Sequence, residues 1–110
     1  SIQSMLRLNP DLRLAGAFQS PVQVSSHLQE LTPDLLIMDI DMPGMNGIEA
    51  VTRVRHRNKE LPILMLTVFD DNQHVFDAIC AGASGYLLKK HIATRLFSAI
   101  EEVMEGGAPM

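Results

Sequence analysis

The sequence predicts an α/β fold, a parallel β-sheet covered by helices on both faces. Three observations carry this expectation. Short runs that are apolar almost throughout, "DLLIMD" (34–39) and "PILMLT" (62–67), have the pattern of strands buried on both faces. Segments with apolar residues at helical spacing lie between them. The two kinds of segment alternate along the chain, as βα units do when crossovers join parallel strands.

The elements follow in order. "IQSMLRLNPDL" has the look of a helix tail, with Ile2, Met5 and Leu6 apolar and Asn9-Pro10 as the stop. A helix tail at the start of an alternating chain implies a strand before it that this sequence does not contain. "LRLAGAF" (12–18) reads as a short strand. "SPVQVSSHLQEL" (20–31) reads as a helix, with Ser20 as N-cap, Pro21 at the first helical position, and Val24, Leu28 and Leu31 on one face. After the 34–39 strand, "GIEAVTRVRHRN" (47–58) turns Ile48, Val51 and Val54 inward. Its basic residues Arg53, Arg55 and Arg57 sit toward the C-terminal end, where the helix dipole favours them, and read as a solvated helix end. The 62–67 strand leads to a helix over 70–82, capped by Asp70 and Asp71 and ended by Gly82. Its expected apolar stripe is Val75, Phe76, Ile79 and Cys80. "GYLLK" (85–89) is the next strand. The last helix, 92–107, carries two apolar stripes, Ile92-Leu96-Ala99-Val103 and Ala93-Phe97-Ile100-Met104. One stripe covers a sheet; the second is either a wide core face or a partner surface.

The 110 residues fit one domain, and 46% hydrophobic with 20% charged is a globular composition. No apolar run is long enough to span a bilayer, so no membrane partner is expected. The formal net charge of -4 argues against this stretch itself gripping nucleic acid. Cys80 is alone, which excludes a disulfide framework and fits a reducing, cytoplasmic setting; it reads as a small core residue. His27, His56, His74 and His91 lie in different elements without ligand spacing and read as surface residues. The chain divides into a domain over 1–105 and the start of a Gly/Pro-rich linker over 106–110.

In an open parallel sheet, ligands bind beyond the carboxyl ends of the strands. The strands here deliver Asp39, Thr67 and Lys89 to that rim. Singly, each has a plain reading: a helix cap, a strand residue, a solvated amine. Together they suit phosphoryl transfer. An aspartate can be phosphorylated, and an ammonium and a hydroxyl can stabilise the charge on the phosphoryl oxygens. A carboxylate and a phosphoryl group repel, so a divalent ion is needed; Mg²⁺ takes oxygen ligands and keeps several waters. Asp39 is one candidate ligand and the backbone carbonyl of Asp41 another. The loop "DMPGMNG" (41–47) then shapes the cradle.

These residues resemble the receiver domain of bacterial two-component response regulators. The resemblance rests on "LLIMDIDMPGMNG", on Thr67 closing "ILMLT" and on Lys89 closing "GYLLK", and it runs over the whole chain. "GASGYLLKK" and "EEVMEGGAPM" are similar to the NarL/FixJ subfamily, whose receivers precede a LuxR-type helix-turn-helix. The resemblance implies a flavodoxin-like (CheY-like) fold of strand order 2-1-3-4-5. It makes Asp39 the phosphoacceptor, Thr67 and Lys89 switch and phosphate-contact residues, Tyr86 an aromatic switch residue, and Asp39 and Asp41 metal ligands. It also implies a histidine kinase as phosphoryl donor, a homodimer or strand-sharing oligomer, transcriptional output, and DNA contact only through a C-terminal domain not present here. The chain is then not an enzyme.

The sequence departs from the family at one place. Receivers hold Mg²⁺ with an acidic pair at the end of a first strand, and no such pair precedes Asp11. Metal binding is therefore expected to be weak or absent in this 110-residue piece. A sheet without its central strand should rearrange, with "LRLAGAF" pairing directly with "LLIMD", or should pair with a second chain. Two rivals stay open: a pseudo-receiver acting only as an interaction module, and a haloacid-dehalogenase-type phosphatase fragment read from "DID". The latter needs an acidic pair after the lysine strand. Here only Glu101, Glu102 and Glu105 follow, within a helix.

Overall fold

The computed structural model describes residues 2–16, 28, 31–39, 47–68 and 71–106. Its elements are α1 (Ile2–Leu8), β1 (Leu36–Asp39), α2 (Gly47–Arg57), β2 (Ile63–Thr67), α3 (Asn72–Ala81), β3 (Gly85–Leu88), a 3₁₀ turn (Lys89–His91) and α4 (Ile92–Met104). Among the described residues the three strands form one sheet of order β1-β2-β3, parallel throughout. Leu36 lies opposite Ile63 and Asp39 opposite Leu66, while Thr67 lies opposite Leu88.

The apolar strands are apolar because both faces are covered. β2 shows this best, since all five of its residues are buried. Ile63 and Met65 point into one core with Met38, Ala50, Val51, Val54, Ala78 and Tyr86, under α2 and α3. Leu64 and Leu66 point into the other with Leu87, Leu96, Ala99, Ile100 and Val103, under α4, where α1 adds Ile2, Met5 and Leu6 at its edge. The alternation is the period of two expected along a strand. Each of the larger aliphatic side chains among them contributes about 1.5–3 kcal/mol by leaving water.

The helix ends follow local chemistry. Asn9 stops α1: its side-chain oxygen accepts from the Asp11 N–H and its carbonyl from the Leu12 N–H. Asp71 caps α3 by accepting from the His74 N–H. Gly82 ends α3 at φ 115°, and its N–H donates to the Ala78 and Ile79 carbonyls.

Several expectations need correction. Residues 12–16 are not in a strand and make no ladder with β1, so the predicted rearrangement does not occur there. A cavity of about 610 Å³ is lined by both segments, and without an adjacent partner the short run has no ladder to join. Residues 17 and 18, most of the 20–31 helix, Asp41 and Asp70 lie outside the described residues; Leu28 and Leu31 are helical. The stripe of α3 is also different. Ala78 is buried and Val75 partly so, whereas Phe76 is 62% exposed and Ile79 and Cys80 are exposed as well. α3 packs on α2 and the edge strand β3, and this narrow seat covers only its small residues. On α4, Leu96, Ala99, Ile100 and Val103 are buried and Phe97 is partly buried, whereas Ala93 and Met104 are exposed. The wide face is thus mostly core.

Arg55 is not a solvated helix end. Its Nε donates to the Gly82 carbonyl at 2.7 Å and a terminal nitrogen to Ser84 Oγ at 3.2 Å. Ser84 Oγ accepts in addition from the Ile63 N–H at 3.0 Å. This network ties α2 to the α3–β3 connection and to the start of β2, on the side of the sheet away from Asp39. Arg53 and Arg57 are exposed, as is His56.

Candidate functional site

The three candidate residues come from the carboxyl ends of three adjacent strands. Asp39 is the last residue of β1 and Thr67 the last of β2. Lys89 comes directly after β3, where it opens the 3₁₀ turn instead of closing the strand. Because β2 is the middle strand, Thr67 lies between the other two strand ends. Parallel pairing brings these ends to one rim, although 28 residues separate Asp39 from Thr67 and 22 separate Thr67 from Lys89 in sequence.

Lys89 Nζ lies 2.9 Å from Asp39 Oδ2. Both side chains are about one-third exposed, at 32% and 34%. The pair is therefore reachable from solvent and also screened by it. Thr67 is fully buried, at 0% exposure. Burial of a hydroxyl at a strand end is tolerated only with hydrogen bonding, and no buried side-chain polar atom among the described residues lacks a partner. Lys90, next to Lys89, is exposed, because each residue of a 3₁₀ turn rotates the side chain by about 120°.

Tyr86 lies on β3 opposite Met65, 3% exposed and packed in the core under α2 and α3. It is two residues back from the strand end, not on the exposed part of the rim. Asp41 cannot be placed with the others, since it lies outside the described residues. Among the described residues no group of three or more His, Cys, Asp or Glu side chains could hold a metal ion. The Asp39 carboxylate offers hard oxygen donors and fits one coordination position of an ion that keeps most of its waters.

Sequence reasoning missed the pair Asp71–His74. His74 Nδ1 lies 2.6 Å from Asp71 Oδ1, and the Asp71 carboxyl is lowered below its ordinary value by this side-chain hydrogen bond and by the His74 N–H. The spacing Asp-x-x-His at a helix start was the available signal. It forms an exposed cap of α3, four residues after Thr67.

Comparison with known proteins gives the class that this fold and rim define. The model of the response regulator receiver domain family matches residues 1–101, and the chain belongs to that family. Among its relatives, the transcriptional regulatory protein DegU of Brevibacillus brevis is 32% identical over 107 residues, covering 97% of this chain and 45% of that protein. The response regulator protein VraR of Staphylococcus aureus (strain NCTC 8325 / PS 47) is 32% identical over 105 residues, covering 96% and 50%. The chain thus spans about half the length of the curated relatives it matches. A LuxR-family response regulator from Aurantimonas sp. SI85-9A1 superposes with a TM-score of 0.91 at 30% identity, over 98% of this chain and 79% of that one. The isolated receiver domain of RcsB from Salmonella enterica serovar Typhimurium shares the fold, with a TM-score of 0.86 at 23% identity over 98% of this chain and 82% of that one. These relatives support the NarL/FixJ (LuxR-type) subfamily and the CheY-like fold. No helix among the described residues is long and apolar enough to cross a membrane.

Proposed function

We propose that this receiver domain accepts a phosphoryl group on Asp39 from a histidine kinase and passes the signal to a DNA-binding domain of the same protein. The observation that carries the reading is the 2.9 Å pair between Lys89 Nζ and Asp39 Oδ2 at the rim, with Thr67 on the strand between them. Asp39 Oδ attacks phosphorus, the bond from phosphorus to the histidine nitrogen of the donor breaks, and that nitrogen leaves with its electron pair. Lys89 then exchanges a carboxylate partner for a phosphoryl oxygen, and its charge offsets the added negative charge. The Thr67 hydroxyl, at the end of the strand between them, is the donor to the same group.

A bound Mg²⁺ would offset the repulsion between carboxylate and phosphoryl oxygens. Asp39 supplies one ligand, and the Asp41 carbonyl is the second candidate. The output is a shift between conformations that favours dimerisation or frees the attached domain. Tyr86, already packed inward, marks one of the two states. Residues 106–110 begin the linker, and the setting is cytoplasmic. The protein acts as a switch, not an enzyme: the aspartyl phosphate is the signal.

The test is phosphorylation of the full-length protein by a small phosphodonor with Mg²⁺, mapped by mass spectrometry. Label is expected on Asp39 and lost in Asp39→Asn. Label that persists in Asp39→Asn refutes the reading, and turnover of a phosphomonoester points to the phosphatase instead.

A further inference from the structure

α2 ends beside a cavity of about 270 Å³ that the proposed phosphotransfer does not use. Of its lining, Thr32 and Pro33 precede β1, Asn58 follows α2 and Leu61 precedes β2. The cavity therefore lies at the amino ends of the strands, away from Asp39. Val54 and Leu61 are buried and, with the half-buried Leu28 and Pro33, make an apolar floor. Thr32, Arg57 and Asn58 are exposed and make a polar mouth.

The mouth offers hydrogen-bond donors. Asn58 Oδ1 accepts from the Glu60 and Leu61 N–H groups, both at 3.0 Å. This fixes the amide and leaves its nitrogen as a donor. The Asn58 carbonyl already accepts from Arg55 at 3.2 Å. Among the described residues, the Arg57 guanidinium and the Thr32 hydroxyl have no hydrogen-bond partner, in contrast to Arg55 two positions back. No carboxylate among the described residues lines the cavity.

Thr32 adds an independent observation. Its φ is 42°, in the left-handed region, and its N–H donates to the Leu28 carbonyl at 3.0 Å. Glycine or asparagine usually closes such a turn, and a β-branched residue there is an outlier. Glycine would relax the backbone but would put no hydroxyl at the mouth.

The occupant follows from floor, mouth and size. At the ~30 Å³ that a water takes in the liquid, the volume holds about nine non-hydrogen atoms, so one small molecule. The floor asks for an apolar body. A mouth of donors asks for a group that only accepts, and a guanidinium fork matches a carboxylate. The carboxyl end of the α2 dipole disfavours an anion, so the attraction has to come from Arg57.

We infer that this cavity binds a small apolar monocarboxylate, with its body on Val54 and Leu61 and its carboxylate on Arg57, Asn58 and Thr32. The site uses no residue of the Asp39 rim, so it and the phosphotransfer reading can fail separately.

The probe is benzoate, which matches the size, titrated into the full-length protein and followed by methyl and amide NMR. The expected result is saturable shifts at Val54 and Leu61 with a Kd of about 1–10 mM, as suits a small ligand at an open site. Acetate lacks the apolar body and benzylammonium reverses the charge, so both should bind about tenfold or more weakly. Arg57→Gln should weaken benzoate about tenfold, Arg57→Lys less, and Arg53→Gln should leave it unchanged. Thr32→Gly should raise the urea midpoint while weakening benzoate, a trade that a purely structural residue would not make. Equal binding of benzoate and benzylammonium means apolar adsorption and overturns the proposal. So does benzoate binding that survives Arg57→Gln, or the absence of saturable shifts at Val54 and Leu61. If Arg57→Gln fails to fold, Thr32→Gly decides: unchanged benzoate affinity in that variant overturns the assignment.

Discussion

Replacing Lys89 with alanine separates what holds the site together from what makes it work. In the structure Lys89 makes an ion pair with Asp39 at 2.9 Å, and both side chains are about one-third exposed. Coulomb's law at this separation gives roughly 1.4 kcal/mol in bulk water and about 6 kcal/mol at an effective dielectric constant of 20. Solvent access, salt screening and the entropy of holding a lysine bring measured values for such pairs to about 0.2–1 kcal/mol. Lys89→Ala should therefore shift the urea midpoint only slightly. Phosphotransfer is different, because negative charge accumulates where Nζ sits. Loss of one preorganised donor to a developing anion costs about 100- to 1,000-fold in rate. The expected result in the full-length protein is a phosphorylation rate on Asp39 lowered about 100-fold or more, with stability changed by less than ~1 kcal/mol. Lys90→Ala, at the exposed neighbouring position, should leave both quantities near wild type. The rates come from time courses with a small phosphodonor and Mg²⁺, the stabilities from urea unfolding. Equal rate losses in the two variants would refute the assignment of Lys89 to the site.

Three further outcomes follow from the same structure. Gly82→Ala places a Cβ 2.5 Å from Arg55 Cγ at φ +115°, so it should destabilise by about 2–4 kcal/mol in urea unfolding, from left-handed strain and a displaced Arg55. Leu96→Ala, at a position 1% exposed, should cost about 2–5 kcal/mol, whereas Phe76→Ala, at 62%, should cost well under that in the same assay. Asp71 is held below the ordinary aspartate value of 3.8 by its bonds to His74, so its contribution is complete above that pH and fades as pH falls through the lower folded value; thermal midpoints of the wild type should drop toward those of Asp71→Ala below about pH 4.

The sequence made the rim legible and the edges illegible, for reasons that particular residues show. "PILMLT" could only be a strand covered on both sides, and its last residue had to emerge where the neighbouring strands end. Asp39, Thr67 and Lys89 are therefore readable as a set from the strand ends alone. Gly82 was legible because a helix end in the left-handed region favours glycine. Arg55 was not, since its partners Gly82 and Ser84 lie 27 and 29 residues away and no local pattern reports them. Phe76, Ile79 and Cys80 misled because helical spacing gives the period of a stripe but not how wide its seat is. α3 rests on one helix and an edge strand, so Val75 and Ala78 fill the contact and the larger residues face outward. "LRLAGAF" had the composition of a strand, but strand structure depends on an adjacent partner, and β1 does not reach residues 12–16.

The placement of the site would let a phosphorylation at Asp39 act without disturbing the fold. The residues that stabilise the domain, among them Ile63, Leu64, Met65, Val51 and Leu96, are buried away from the rim. The Arg55–Ser84 network fixes the opposite ends of β2 and β3. Among the described residues, the exposed groups at the carboxyl ends are held weakly: a solvent-screened ion pair, a 3₁₀ turn and an exposed helix cap. Local openings are drawn from such low-stability parts. A phosphoryl group on Asp39 would replace one ion-pair partner of Lys89 with another that is larger and more charged, and the turn at Lys89–His91 connects that change directly to α4. The two cores then need not repack for the signal to reach the helix.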